Sequence, residues 1–294
     1  MFPQPASPLL NASPDWSAVE VEVVRGKSRV VGCRSRQPLK ILNPASHQAS
    51  CHVVLSNFGG GMVSGDQIQL QLRCGAGSRL FLSTQANGRI FKSVDGAEAC
   101  QTIAGTLAQN ALAVLFPDPV VLQEGSRYRQ VQHWDIQPKA VLLVIDWFHS
   151  GRMDTGERFA FHSFFSELRV TSAGKTLLLD RFSFQPRQHI ASAPANFGEY
   201  QTIFSAYLVG TPGEALFEQL GERLLQLRMP ERTALHFDMT NRNFVLSVVK
   251  AKAGVYLLRA MAKTRQDLQP LCDAILSALA TDAYLGYNPL QRKY

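Results

Sequence analysis

Short apolar stretches separated by turn residues fill most of the chain, and this pattern constrains its fold more than any other feature. Between residues 19 and 183, stretches rich in Val, Ile, Leu and Phe are interrupted by Gly, Pro, Asn and Asp at spacings typical of an all-β fold. Residues 67–73 alternate polar and apolar side chains strictly, as a strand with one buried face does. Residues 79–83 and 127–132 follow similar patterns. We therefore expect a mainly β protein with a many-stranded sheet architecture.

Three other segments depart from this alternation. Residues 140–145 are apolar without interruption, which predicts a strand that is covered on both faces. Apolar residues recur at helical spacing in residues 213–228 and again in residues 264–281, which predicts two α-helices in the C-terminal third. Two further strands are expected between these helices, at residues 244–250 and 255–261.

The domain organisation follows from composition along the chain. Residues 1–15 contain four prolines and few charges, which predicts a flexible N-terminal arm. No internal repeat is visible in the remainder. We expect residues 16–294 to form a single β-rich domain, in which an all-β sandwich is possible but no pattern determines the strand order.

The formal net charge of +7 favours an acidic partner, which could be nucleic acid, an anionic membrane or an acidic protein surface. A basic β-sheet protein that binds a polyanion is therefore one hypothesis. Such a protein should interleave aromatic and basic side chains on one strand face, but only Tyr128, between Arg127 and Arg129, comes close. We interpret the densest basic cluster as solvated strand faces: Arg25, Lys27, Arg29, Arg34 and Arg36.

Cysteine usage and the N-terminus indicate the compartment. The chain contains five cysteines, an odd number, and no CxxC pair, which argues against a disulfide framework and for a reducing environment. The first residues lack the basic and apolar regions of a signal peptide, and no apolar run approaches the length of a membrane span. We expect a cytoplasmic protein that does not bind a membrane.

The glycine-rich segment at residues 57–66 is the first candidate for chemistry. Gly60 and Gly65 have the spacing of a phosphate-binding loop, but Asp66 occupies the position of the essential lysine and would repel phosphate. We interpret the segment as a turn or bulge that needs positive φ angles and a close backbone approach. The Gly-Lys-Thr sequence at 174–176 is likewise interpreted as part of a β-hairpin turn.

Neither a strong metal site nor a catalytic site emerges. HExxH and CxxC motifs are absent, and the adjacent Cys51 and His52 should point to opposite faces of a strand. Near Asp146, the glycines of residues 151–157 surround an arginine and an acid, which predicts a tight loop clamped by a charge pair. A paired acid–base site is the alternative there, but no nucleophile accompanies it. We expect a protein that is not an enzyme and holds no tightly bound cofactor.

Five segments, in this order, resemble motifs of the UreD (UreH) family of urease accessory proteins. They are the glycine-rich residues 59–66, the Thr-Gln-Ala stretch within 83–93, the Phe-Pro-Asp-Pro-Val sequence at 116–120, the Gly-Arg…Gly-Glu loop at 151–157 and Leu-Asp-Arg at 179–181. The residues that carry the resemblance are Gly59, Gly60, Gly65, Asp66, Thr84, Gln85, Gly151, Arg152, Gly156 and Glu157.

The resemblance implies a β-rich scaffold for urease maturation. Members bind the urease apoprotein on one side and, on the other, a UreF-type accessory protein, which recruits a UreG-type GTPase that carries nickel. Nickel is expected to pass transiently along an internal path, which requires weak carboxylate or imidazole ligands. We expect Asp66, Asp146 and Glu167 to line that path, although a turn cap is an equal interpretation for Asp66.

Overall fold

The computed structural model describes residues 15–44, 48–188, 197–227 and 242–289, and these residues are mainly β. All but the last residue of the predicted arm at 1–15 lie outside the described residues. The strands are, in chain order, β1 (Ser17–Val24), β2 (Lys27–Arg34), β3 (Leu39–Leu42), β4 (Cys51–Asn57), β5 (Gly61–Met62), β6 (Gln67–Cys74), β7 (Arg79–Thr84), β8 (Gly88–Ile90), β9 (Ala99–Leu107), β10 (Leu112–Phe116), β11 (Val120–Leu122), β12 (Arg127–Ile136), β13 (Val141–His149), β14 (Ser163–Ser172), β15 (Lys175–Phe184), β16 (Thr202–Gly210), β17 (Phe244–Lys252) and β18 (Val255–Ala262). The α-helices are α1 (Ala215–Gln226) and α2 (Gln269–Leu279).

Two sheets contain these strands. A seven-stranded sheet has the order β15-β14-β12-β9-β6-β1-β2, and an eleven-stranded sheet has the main order β17-β18-β16-β13-β10-β7-β4-β3. The short strands β5, β8 and β11 form a side ladder that joins the larger sheet at β13. The predicted strands at 67–73, 79–83, 127–132, 140–145, 244–250 and 255–261 are all present, within a few residues of their predicted ends.

Between β4 and β14 the chain winds as a coil that visits both sheets in turn. Corresponding strands of successive coils pair in parallel, as β4–β7–β10–β13 in the larger sheet and β6–β9–β12–β14 in the smaller one. Parallel neighbours need a long crossover connection, and each crossover here passes through the opposite sheet rather than through a helix. The fold thus repeats structurally although the sequence shows no repeat.

Further strands extend both sheets beyond the coil, and all of them pair antiparallel except β1, which pairs in parallel with β6. A turn at residues 173–174 connects β14 to β15, which confirms the predicted hairpin. In the larger sheet, β16 pairs with β13, and β18 and β17 follow in antiparallel order.

Two hydrophobic cores result. The first lies between the two sheets, and the second lies between the larger sheet and both helices. Strand β13 contributes to both, since Leu142 and Val144 belong to the first core and Leu143 and Ile145 to the second. The prediction that this apolar strand is covered on both faces is therefore confirmed.

Both helices are shorter than predicted. Helix α1 begins after Gly213, whose φ of 80° lies outside the helical region, and residue 228 lies outside the described residues. Before α2, a 3₁₀ turn occupies Gln266–Leu268, and the Asp267 carboxylate within it accepts hydrogen bonds from the Thr264 N–H and hydroxyl. The predicted span of 264–281 therefore contains two kinds of helix. Each helix has the apolar face expected from its spacing, and the structure packs that face against the larger sheet.

The packing of Trp134 over Gly105 provides a test of the parallel register. Gly105 faces Trp134 on the neighbouring strand, and a Cβ at residue 105 would lie 2.1 Å from the indole ring. We expect Gly105→Ala to lower the free energy of unfolding by about 1–3 kcal/mol, measured by urea denaturation. Gly88→Ala is the control, because its Cβ would lie 3.8 Å from the nearest atom. Equal stability of the two variants would contradict the register.

Candidate functional site

A cavity of about 260 Å³ lies between the two sheets. Its apolar lining comes from strands of both sheets and includes Leu55, Leu70, Leu82 and Ile103. The polar lining consists of hydroxyl, amide and carboxylate groups, of which the carboxylates belong to Asp118 and Asp146. A polar lining inside an apolar core indicates a site that admits polar species rather than a packing defect.

Asp146 presents one carboxylate to this cavity from β13. Its Oδ1 accepts a hydrogen bond from the Gln130 side-chain amide at 2.7 Å, and its Oδ2 accepts one from the Ser166 hydroxyl at 2.9 Å. Burial raises the pKa of Asp146 above the ordinary aspartate value, and the two hydrogen bonds oppose that shift only in part. A cation that entered the cavity would offset the free-energy cost of ionising this buried carboxyl.

Asp118 presents the second carboxylate where the cavity reaches the surface. A surface depression of about 400 Å³ shares Gly60, Gln85 and Asp118 with the cavity and so forms its mouth. The Thr84 hydroxyl donates to Asp118 Oδ2 at 2.9 Å and accepts from the Asp118 N–H at 2.6 Å. The Thr-Gln-Ala and Phe-Pro-Asp-Pro segments therefore meet at this mouth.

Arg265 reaches the mouth from the segment before α2. Its guanidinium donates to Asp118 Oδ1 at 3.0 Å and to the Asn87 side chain at 3.1 Å, and it lies 5.7 Å from the centre of the Trp147 ring. The Asp118 side chain is only 3% exposed, so this ion pair is largely shielded from water. Arg265 compensates the Asp118 charge and partly covers the mouth.

The glycine-rich segment forms the rim of the mouth and is the turn that the sequence predicted. Gly59, Gly60 and Gly65 have φ angles of 73°, 73° and 82°, and a Cβ on Gly61 would lie 2.5 Å from a backbone oxygen. The Asp66 carboxylate accepts a hydrogen bond from the Val63 N–H at 2.8 Å, which caps the turn. Asp66 does not line the cavity, so the structure places it in the turn-cap position.

Glu167 lies on the other face of the smaller sheet. Its neighbour Ser166 points towards Asp146, and because successive residues of a strand alternate, Glu167 points outward. The carboxylate binds Arg181 at 2.6 Å, His133 at 3.1 Å and Arg169 at 3.5 Å. Burial opposes its ionisation, but the bonds from Arg181 and His133 outweigh burial and lower the pKa of Glu167. Of the three acids expected along the path, the structure brings only Asp146 to the cavity.

The loop at residues 151–157 is a structural clamp, as predicted. The buried Glu157 carboxylate accepts bonds from the Arg152 N–H at 2.7 Å, from the Arg152 guanidinium at 3.1 Å and from the Glu124 N–H at 2.7 Å. Gly156 has a φ of 72°, and a Cβ on Gly151 would lie 2.6 Å from the Glu157 carbonyl oxygen. The connections between strands at residues 123–126 and 150–162 are successive corners of the coil. The loop at residues 151–157 thus holds these two corners together.

This clamp predicts a pH-dependent stability. Burial opposes the ionisation of Glu157, but the hydrogen bonds from Arg152 and from the main chain outweigh it, so the pKa of this carboxyl is lowered. The clamp therefore stabilises the fold above the unfolded-state pKa of about 4.3, and its contribution disappears as pH falls through the folded-state pKa. We expect Glu157→Gln to cost about 1–2 kcal/mol at pH 7, and less as the pH falls below about 4.

Urea denaturation at several pH values measures this effect. Glu98→Gln, at a neighbouring corner of the coil, controls for the loss of one carboxylate. A Glu157→Gln penalty that stayed constant from pH 7 to below the folded-state pKa would rule out the clamp as its source.

Several residues at the site were not predicted from the sequence. Asp118 belongs to a segment that carried the resemblance, and an acid between two prolines at the end of a buried strand was the available signal. Gln130 and Ser166 carry no local signal, because ordinary strand residues surround them. Arg265 is separated from Asp118 by 147 residues, and no local pattern connects the two.

Within residues 15–44, 48–188, 197–227 and 242–289, no three His, Cys, Asp or Glu side chains are grouped so as to hold a metal ion. In the same ranges, no helix has the length and apolarity needed to cross a membrane.

Comparison with known proteins identifies the family. The family described as UreD urease accessory protein matches residues 17–293. A urease accessory protein UreD from Cytophaga hutchinsonii is 38% identical over 279 residues, which are 94% of this chain and 96% of that protein. A namesake from Sorangium cellulosum is 30% identical over 92% of this chain and 81% of its own length, and urease accessory protein D of Arabidopsis thaliana is 30% identical over 75% and 76%. This chain belongs to the UreD family of urease accessory proteins.

Proposed function

We propose that this protein is a non-enzymatic scaffold that conveys Ni²⁺ to the urease apoprotein through the cavity between its sheets. Membership of the family supports a role in urease maturation. The observation that carries the nickel proposal is the meeting of three family segments, at 59–66, 83–93 and 116–120, around a cavity whose wall presents the Asp146 carboxylate. Nickel is cargo here, not a resident cofactor.

The ligand chemistry of the cavity suits transient passage. Ni²⁺ accepts carboxylate, amide and hydroxyl oxygens, but thiolate and imidazole groups give tighter sites. Asp146 is already hydrogen-bonded to Gln130 and Ser166, and Asp118 is already paired with Arg265. A metal ion must compete with these partners, so each contact is weak and release is fast.

Protein partners are proposed to dock on two neighbouring loops, the glycine-rich rim segment and the loop that carries Val94. Phe58, Val63 and Val94 are exposed by 52%, 53% and 90%. The Ser64 hydroxyl donates to the Asp95 carboxylate and is also hydrogen-bonded to the Ser93 hydroxyl, which holds the two loops together. Exposed apolar side chains gathered at one place mark interaction surfaces. We propose the urease apoprotein and a UreF-type protein as partners, with a UreG-type GTPase bound through the latter, all in the cytoplasm.

The polyanion hypothesis, which the net charge suggested, gains no support from the one strand that came close to its expected pattern. Tyr128 is 1% exposed, so its ring is not available to stack on a base. Arg129 on the same strand lies 4.1 Å from the centre of the Phe165 ring. This strand therefore presents no aromatic and basic side chains together to a nucleic acid.

Replacement of Asp146 tests the nickel proposal. Asp146→Asn removes the carboxylate, while the asparagine amide can still form hydrogen bonds with Gln130 and Ser166. We expect a severalfold loss of both urease activity and urease nickel content when this variant replaces the native chain in a urease-producing host. Glu167→Gln and Asp66→Asn are the comparison variants, because neither carboxylate reaches the cavity.

The same host also tests the maturation role itself. Urease that matures fully after deletion of this chain would refute that role. If deletion abolishes maturation but Asp146→Asn supports a normal nickel content, the role stands and the cavity is not the path.

Charged substitutions test the docking surface. We expect Val94→Asp and Val63→Asp to weaken binding to at least one of the two proposed direct partners by about tenfold or more, since burying an unpaired charge in an apolar interface is costly. Leu179→Asp is the matched control, because Leu179 is 47% exposed on β15 of the smaller sheet. Affinity-tagged copies of each variant, tested separately against urease apoprotein and the UreF-type protein, provide the measurement. Equal binding by all three variants would exclude this surface.

A further inference from the structure

Four basic side chains surround a second, separate cavity. Lys92, Arg127, His162 and Arg187 line an open pocket of about 230 Å³, here called the basic pocket. Ser93, Gly96, Gly125 and Ala160 complete its wall. None of these residues lines the cavity between the sheets. Lys92 and Ser93 end the family segment at 83–93, whereas Arg127, His162 and Arg187 belong to none of the family segments described above.

The coil itself brings these side chains together. Three successive corners stack through main-chain hydrogen bonds, from the Ser93 N–H to the Gly125 carbonyl at 3.2 Å and from the Gly125 N–H to the Ala160 carbonyl at 2.9 Å. The His162 N–H donates to the Ser126 carbonyl at 2.8 Å, beside Arg127. Lys92, Arg127 and His162 therefore lie on adjacent corners because of backbone pairing.

Arg187 joins them through the hairpin of β14 and β15. Phe184 at the end of β15 pairs with Phe164 at the start of β14, two residues after His162. The chain then turns through a hydrogen bond from the Gln188 N–H to the Gln185 carbonyl, which positions Arg187 at the same end of the sheet. The pocket thus collects one basic side chain from each of four segments.

The charge of the basic pocket is not balanced. Within the part of the chain that the structure describes, Lys92, Arg127 and Arg187 form no ion pair with a carboxylate. The outer face of the smaller sheet shows the contrast, since Glu167 there forms ion pairs with Arg169 and Arg181. Like charges held close together without a counter-charge repel one another, and an anion removes that repulsion.

The pKa of His162 is sensitive to these unbalanced charges. Burial lowers its pKa, and the neighbouring charges of Arg127 and Arg187 lower it further. These effects favour the uncharged ring, which offers one N–H as a hydrogen-bond donor. Its titration also provides a reporter, because an anion between the two guanidinium groups should raise its pKa.

We propose that the basic pocket binds a compact oxyanion with two negative charges, of the hydrogen phosphate class. Guanidinium groups present paired N–H donors that match the oxygens of such an ion, and the lysine adds a third positive charge. The pocket is smaller than the roughly 300–1,000 Å³ of sites for drug-sized ligands, which favours an ion over a nucleotide. This site does not depend on the proposed nickel path.

Titration of the full-length chain with inorganic phosphate tests the proposal. We expect saturable one-to-one binding by calorimetry in about 0.05 M chloride, where screening is weak. Arg127→Gln and Arg187→Gln should each weaken it by about tenfold or more. Phosphate should also raise the titration midpoint of the His162 ring proton in NMR spectra, with His162→Gln identifying that resonance. Acetate, which has one charge, should bind more weakly than phosphate.

Arg129→Gln is the matched control. It removes the same charge from the same strand, but its guanidinium lies over the Phe165 ring and does not line the pocket. Phosphate binding within about twofold of the native chain is expected for this variant. The proposal is overturned if phosphate does not bind, if all three arginine variants bind it equally, or if acetate binds as tightly as phosphate.

Discussion

In the ladder β4–β7–β10–β13, each strand hydrogen-bonds in parallel with the corresponding strand of the next coil. The side chains of β13 consequently alternate between the core that lies between the sheets and the core beneath the helices. A shift of one residue would exchange Asp146 with Ile145 or Trp147 and direct a carboxylate into the helix-side core. The cavity, both cores and the position of the helices all depend on this register.

The two carboxylates of the cavity are stabilised differently, and the difference matters for function. Asp146 is held by neutral donors, Gln130 and Ser166, so no positively charged side chain competes with a cation for it. Asp118 is paired with Arg265, and its charge is already compensated. A cation that entered at the mouth would therefore meet a neutralised acid first and an uncompensated acid further inside.

The corners of the coil differ from its interior in the charged side chains that they bring together. Stacking brings corresponding positions of successive coils together whether or not their charges are compatible. At the 151–157 corner the acid and base are matched, and Glu157 fastens the main chain of two corners. At the basic pocket they are not matched, and Arg127, His162 and Arg187 remain next to one another. Because an unbalanced cluster destabilises a fold, its presence at a well-formed corner favours a ligand over packing as its explanation.

Local sequence patterns were enough to predict much of the secondary structure. Strict alternation located β6, the uninterrupted apolar run located a strand covered on both faces, and helical spacing located α1 and α2 within a few residues. The Arg152–Glu157 clamp and the turns of residues 57–66 and 173–174 follow from glycine, charge and spacing over fewer than about a dozen residues. Motif order also identified the family, which the comparisons confirmed.

The sequence by itself therefore determined the secondary structure class, the turns and the family, because all of these depend on neighbours along the chain or on ordered motifs. Only the tertiary structure decided which strands pair, which face of each strand is buried and which distant side chains meet. Alternation shows that Ser166 and Glu167 lie on opposite faces, but it does not show which one faces the cavity. That choice, like the contact between Asp118 and Arg265, depends on strand pairing across long separations, for which no local pattern carries information.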